Sequence, residues 1–116
     1  MDTRSKIIDP AGAARIAESG GAVVSGYFDP MTASHAARLA QLKSGGKPLL
    51  VLIASPEGAI LPARARAELV AGLSVVDYVC DSADLPADIH LEDEHRLGLG
   101  KLIDHVHARQ QAAKQG

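Results

Sequence analysis

The sequence predicts an α/β fold, a three-layer sandwich with helices on both faces of a small parallel sheet, and three observations lead there. Helix-like and strand-like patterns alternate along the chain without an internal repeat, and such alternation implies right-handed βαβ crossovers. One segment, Leu49-Leu50-Val51-Leu52-Ile53-Ala54, is apolar at every position, as a strand covered on both faces must be. The chain has 116 residues, 47% of them hydrophobic and 22% charged, which suits one core rather than two. A single domain over 1–116 is expected, with 1–8 and 111–116 frayed at its ends.

The elements follow in order. Asp9-Pro10 is a helix start, a capping carboxylate followed by proline in the first turn. This helix would turn Ala13, Ile16 and Ala17 inward and stop at Gly20-Gly21. Residues 22–26 read as a short buried strand. A second helix is expected over 32–43, with Ala36, Leu39, Ala40 and Leu42 on its apolar side, and Ser44-Gly45-Gly46 ends it. The all-apolar strand follows. Pro62 opens a third helix, expected to space Leu61, Ala65, Leu69 and Leu73 along one side. Residues 75–79 read as a third strand and 88–91 as a short fourth one. Leu99, Leu102, Ile103 and Val106 recur at i, i+3, i+4 and i+7, the pattern of a last amphipathic helix.

Composition narrows the function classes. A formal net charge of −2 gives no reason to expect a nucleic-acid partner, which usually requires a basic patch. One cysteine, Cys80, rules out an internal disulfide and leaves too few thiolates for a cysteine-based zinc site. No apolar run approaches the ~20 residues that span a bilayer, and the first residues read as no signal peptide, so a cytoplasmic location is expected. Aromatic residues are only 3% of the chain, so the core rests on aliphatic side chains. A core of this modest size makes a homodimer an expectation.

In sheets of this kind ligands bind beyond the carboxyl ends of the strands, where strand order reverses. The first strand ends at Gly26, in the segment Gly26-Tyr27-Phe28-Asp29-Pro30-Met31-Thr32-Ala33-Ser34-His35. Gly26 permits a sharp turn or a close backbone approach. Thr32 or Ser34 would cap the helix that follows, whose free N–H groups and positive dipole end make an anion site. His35, in the first turn, would donate to a phosphate oxygen. The same features also describe an ordinary strand–turn–helix.

This stretch resembles the Gly-x-Phe-Asp-x-x-[His/Thr]-x-Gly-His motif of the cytidylyltransferase-like nucleotidyltransferases. Gly26, Phe28, Asp29, Thr32 and His35 match it. A second block agrees: Ile60-Leu61-Pro62, Arg66-Ala67-Glu68-Leu69 and Val76-Asp77-Tyr78-Val79 look like the helix and strand of the sugar-phosphate branch, nearest to the heptose-phosphate adenylyltransferases. The similarity covers roughly 21–79. It implies a Rossmann-like fold, truncated relative to the family, and transfer of AMP or CMP from ATP or CTP to a small phosphorylated acceptor. It implies His35 and Thr32 as catalytic residues, with Gly26, Tyr27, Phe28, Asp29, Ser34 and Arg66 against the nucleotide. Mg²⁺ would accompany the triphosphate.

Four departures support a second reading, a catalytically degenerate nucleotide-binding or protein-interaction module on the same fold. Ser34 replaces a glycine of the motif. Ser55-Pro56-Glu57-Gly58-Ala59 carries no lysine where relatives hold one against the substrate. Glu92-Asp93-Glu94 stands where relatives have a glycine-rich turn, and no Ile-Ser-Ser-Thr-like segment occurs. Arg64 and Arg66 would serve as compensating phosphate ligands or as solvated helix residues. His90, Glu92, Asp93, Glu94 and His95 include metal-ligand types, but their spacing is not diagnostic of a site, and a solvated helix start rich in acids is the commoner origin of such a cluster.

Overall fold

A computed structural model describes residues 3–43, 45–82, 85–92, 94 and 95. Four parallel strands, β1 (Ala22–Gly26), β2 (Leu49–Ile53), β3 (Tyr78–Cys80) and β4 (Ile89–His90), form one sheet in the order β3-β2-β1-β4. Three helices, α1 (Pro10–Glu18), α2 (Ala33–Leu42) and α3 (Ala63–Ala71), cover its faces. The predicted α/β sandwich is therefore the observed one. None of the helices among the described residues is long and apolar enough to cross a membrane.

The alternation of the strands separates two cores. Ala22 pairs with Leu49, Val24 with Val51 and Gly26 with Ile53, and this face meets Leu39 of α2 and Ala67, Val70 and Ala71 of α3. Val23 pairs with Leu50 and Ser25 with Leu52, and this opposite face meets Ala13, Ile16 and Ala17 of α1. Every residue of β2 is buried, which is why its sequence shows no polar–apolar alternation. Each fully buried aliphatic side chain contributes about 1.5–3 kcal/mol.

Local chemistry sets the boundaries. Asp9 caps α1, its Oδ1 accepting the Gly12 N–H at 2.7 Å, with Pro10 at the first position. Gly20, at φ +96°, turns the chain out of the helix. Asp77 accepts the Leu49 N–H at 2.7 Å and the Lys43 ammonium, joining the end of α2 to the start of β2. Asp88 exchanges two bonds with Val23, Oδ2 accepting its N–H at 3.0 Å and N–H donating to its carbonyl at 2.8 Å, and so lays β4 beside β1.

Three expectations are corrected. The N-terminal segment forms a 3-10 turn (Thr3–Lys6), and Ile8 N–H donates to the Val79 carbonyl at 2.8 Å, so residues 3–8 are tied to the sheet. The third strand starts at Tyr78 rather than at 75, because the Leu73 carbonyl accepts the Val76 N–H in a turn. On α3 the inward face is Arg66, Ala67, Val70 and Ala71, while Leu69 is 45% exposed. The apolar pattern missed this rotation because a buried arginine sets the face. The predicted last helix, from Leu99 on, lies outside the described residues, as do 111–116.

Candidate functional site

The carboxyl end of β1 lies where the strand order reverses, since β2 and β3 extend to one side of β1 and β4 to the other. From Gly26 the chain turns through Tyr27 and Phe28 toward α2. Phe28 adopts φ +48°, a left-handed conformation uncommon for a bulky residue. Its ring is fully buried in the core against α2 and α3. The turn is thus held by packing on one side and by hydrogen bonds on the other.

Asp29, Arg66 and His95 supply those bonds. The Asp29 carboxylate accepts the N–H groups of Ile60 at 2.6 Å and Leu61 at 2.8 Å, tying the turn to the segment before α3. Arg66, only 1% exposed, donates to the carbonyls of Leu61 (3.0 Å), Tyr27 (3.0 Å) and Ala54 (2.6 Å) and to Ser55 Oγ (3.1 Å). One guanidinium therefore joins the loop ends of β1 and β2 to the start of α3. Its fork is engaged inside the fold, so Arg66 shapes the ligand face rather than presenting charge on it. Arg64 is exposed and lies 3.7 Å from Glu68, one turn on.

At the N-terminus of α2, Thr32 is the cap. Thr32 Oγ1 accepts the His35 N–H at 3.4 Å, and His35 Nδ1 accepts the Thr32 N–H at 3.2 Å, a reciprocal capping box. Ser34 Oγ lies 2.9 Å from Thr32 Oγ1. Because Nδ1 of His35 accepts a main-chain N–H, the neutral ring carries its proton on Nε2. Burial lowers the pKa of His35 below the ordinary imidazole value. At neutral pH it is an uncharged N–H donor beside a helix N-terminus.

His95, in sequence one member of a mixed polar cluster, lies at the centre of this site. Its Nδ1 accepts the N–H groups of Tyr27 at 3.0 Å and Phe28 at 3.3 Å. Its ring lies 4.6 Å from that of Phe28 and 4.0 Å from that of His35. A Cβ on Gly26 would fall 2.6 Å from His95 Cε1 and 2.7 Å from Phe28 Cε2. Burial, with His35 close by, lowers the His95 pKa to about 4. Both imidazoles use their lone pair on a main-chain N–H, so the pair offers N–H edges rather than metal-binding lone pairs. No local sequence pattern announces His95, because only the pairing of β4 with β1 carries it to Gly26.

The remaining polar residues divide between the two faces. Glu94 pairs with Arg38 of α2 through two contacts of 3.2 and 3.3 Å. On the α1 face a cavity of about 190 Å³ is lined by Ser25, Leu52, Leu85, His90 and Glu92, among others. There Ser25 Oγ lies 3.0 Å from His90 Nδ1, while Glu92 Oε2 is buried without a hydrogen-bond partner. His90 and His95 thus serve opposite faces of the sheet. Among the described residues no three His, Cys, Asp or Glu side chains converge as metal ligands. Cys80 is buried in the α1-side core as a free thiol.

Compared with known proteins, the chain matches no protein-family model and no curated protein significantly.

Proposed function

We propose that this chain is a nucleotidyltransferase-like protein that grips nucleotide phosphates between the turn after β1 and the N-terminus of α2. One observation carries the reading. Two consecutive main-chain N–H groups, of Tyr27 and Phe28, converge on a single acceptor atom beside His35 and a capped helix N-terminus. Consecutive N–H groups aimed at one point form an anion-binding concavity. A neutral His35 adds a side-chain donor and no charge. Catalysis of phosphoryl-group chemistry by such an array would be positioning and charge stabilisation, with no covalent nucleophile.

In this reading AMP or CMP passes from ATP or CTP to a small phosphorylated acceptor. The attacking phosphate oxygen forms a bond to the α-phosphorus, and the bond to the pyrophosphate leaving group breaks. His35 holds a non-bridging oxygen of the α-phosphate, while Thr32 sets the His35 ring through its capping box. Mg²⁺, bound mainly through triphosphate oxygens and water, would neutralise charge on the leaving group. Asp29 offers it little, its carboxylate being engaged by Ile60 and Leu61.

The second reading, nucleotide binding without transfer, is favoured by Arg66. Its guanidinium is held by loop acceptors, and the loop after β2 has no lysine to replace it. Calorimetry with ATP and CTP in the presence of Mg²⁺, then pyrophosphate release across a panel of sugar phosphates, separates the two. Binding weakened at least tenfold by His35→Ala supports the site. Pyrophosphate release supports transfer, and binding without release supports the module. Binding unaffected by His35→Ala would overturn the site.

A further inference from the structure

We infer that His95 is a built-in stand-in for a phosphate oxygen, occupying the Tyr27–Phe28 N–H pair so that an anionic ligand binds only by displacing it. This rests on the phosphate-binding reading above and adds an internal competitor to it. The two N–H groups need an acceptor because a buried donor without one costs about 1–3 kcal/mol. His95 Nδ1 provides it at 3.0 and 3.3 Å. The ring also fills the space that glycine opens at position 26, with Cε1 2.6 Å from where a Cβ would stand. The close approach that Gly26 permits is therefore used by the protein's own side chain. A ligand oxygen on the same N–H pair and the His95 ring exclude each other.

The His95 main chain is anchored, its N–H donating to the Leu91 carbonyl at 2.9 Å and the Leu91 N–H to the Ser25 carbonyl at 2.7 Å, so release is a rotation of the side chain alone. The segment that carries it is joined to α2 by the Arg38–Glu94 pair, whose side chains are 40% and 50% exposed. Exposed pairs of this kind contribute about 0–1 kcal/mol. Nδ1 also accepts only while the ring is neutral, and burial beside His35 keeps it so down to a pH of about 4. Displacement would return the imidazole to water and leave His35 Nε2–H facing the incoming anion.

The test compares wild type with His95→Ala, using inorganic pyrophosphate and MgATP in calorimetry, with amide hydrogen exchange as a second measurement. The expected result is binding at least about tenfold tighter in His95→Ala, a gain of about 1.4 kcal/mol. Tyr27 and Phe28 amides should be protected in free wild type and exposed in free His95→Ala. Should the alanine variant fail to fold, His95→Ser, whose side chain ends one bond short of Nδ1 and leaves the space of the ring open, carries the same expectation. Equal or weaker binding by the variants, with wild type still binding, overturns the competitor and leaves the phosphate site standing. No binding of either probe to wild type or to any folded variant overturns both.

Discussion

His95 Nδ1 lies 3.0 Å from the main-chain nitrogen of Tyr27, 68 residues earlier in the chain. This contact joins the segment after β4 to the turn after β1 and sets the character of the whole ligand face. It places an imidazole against main-chain donors, against Gly26 and against His35.

Acid should destabilise the protein through this ring. The ordinary imidazole pKa is 6.5 and that of folded His95 is about 4. Between these values the unfolded chain binds a proton that the folded chain does not, so stability falls as pH drops from 6.5 toward 4. The full shift corresponds to roughly 3 kcal/mol, and partial solvent access reduces the expected loss to about 2. Urea midpoints at pH 7 and pH 4.5 measure it. His95→Ala should flatten the pH dependence, and an unchanged slope would show that another group controls it.

Gly26→Ala should destabilise by about 1–3 kcal/mol, as overpacking does, because the new methyl meets His95 and Phe28 below van der Waals distance. Combining it with His95→Ala should recover part of the loss. A double-mutant cycle on denaturant unfolding reads the coupling. Additive losses would mean that the two residues do not share the space.

Arg66→Met should cost about 3 kcal/mol or more, since three carbonyls and the Ser55 hydroxyl lose a buried donor. Arg66→Lys should rescue little, because an ammonium cannot span the positions of the guanidinium fork. Thermal unfolding of the two variants checks this. Near-native stability of the lysine variant would contradict the clamp assigned to Arg66.

Asp29→Ala should cost about 2–3 kcal/mol by freeing the Ile60 and Leu61 N–H groups from a charged acceptor. Asp29→Asn, which keeps one carbonyl oxygen, should lose about half as much. Urea unfolding measures both, and equal losses would show that the charge, not the acceptor geometry, matters.

Much of the fold was legible because its signals are local. Asp9-Pro10 caps α1, the predicted bounds of β1 coincide with Ala22–Gly26, and the apolar run 49–54 became β2. Of the two caps the sequence allows for α2, Thr32 and Ser34, the structure uses Thr32, and His35 stands in the first turn that follows it. Arg66 was placed by resemblance, but its inward rotation was hidden, since a charged residue ordinarily faces water. His95 was hidden more deeply. Its place depends on a two-residue strand pairing with β1 across the chain, and no periodicity within 88–95 encodes that.

The most direct test of the phosphate site is an amide chemical-shift titration of the wild-type protein with MgATP. Saturable shifts concentrated at Tyr27, Phe28, Ala33 and Ser34 are expected, with the same perturbation largely lost in His35→Ala. Saturable binding that moves other amides and leaves the turn after β1 unchanged would contradict the phosphate site.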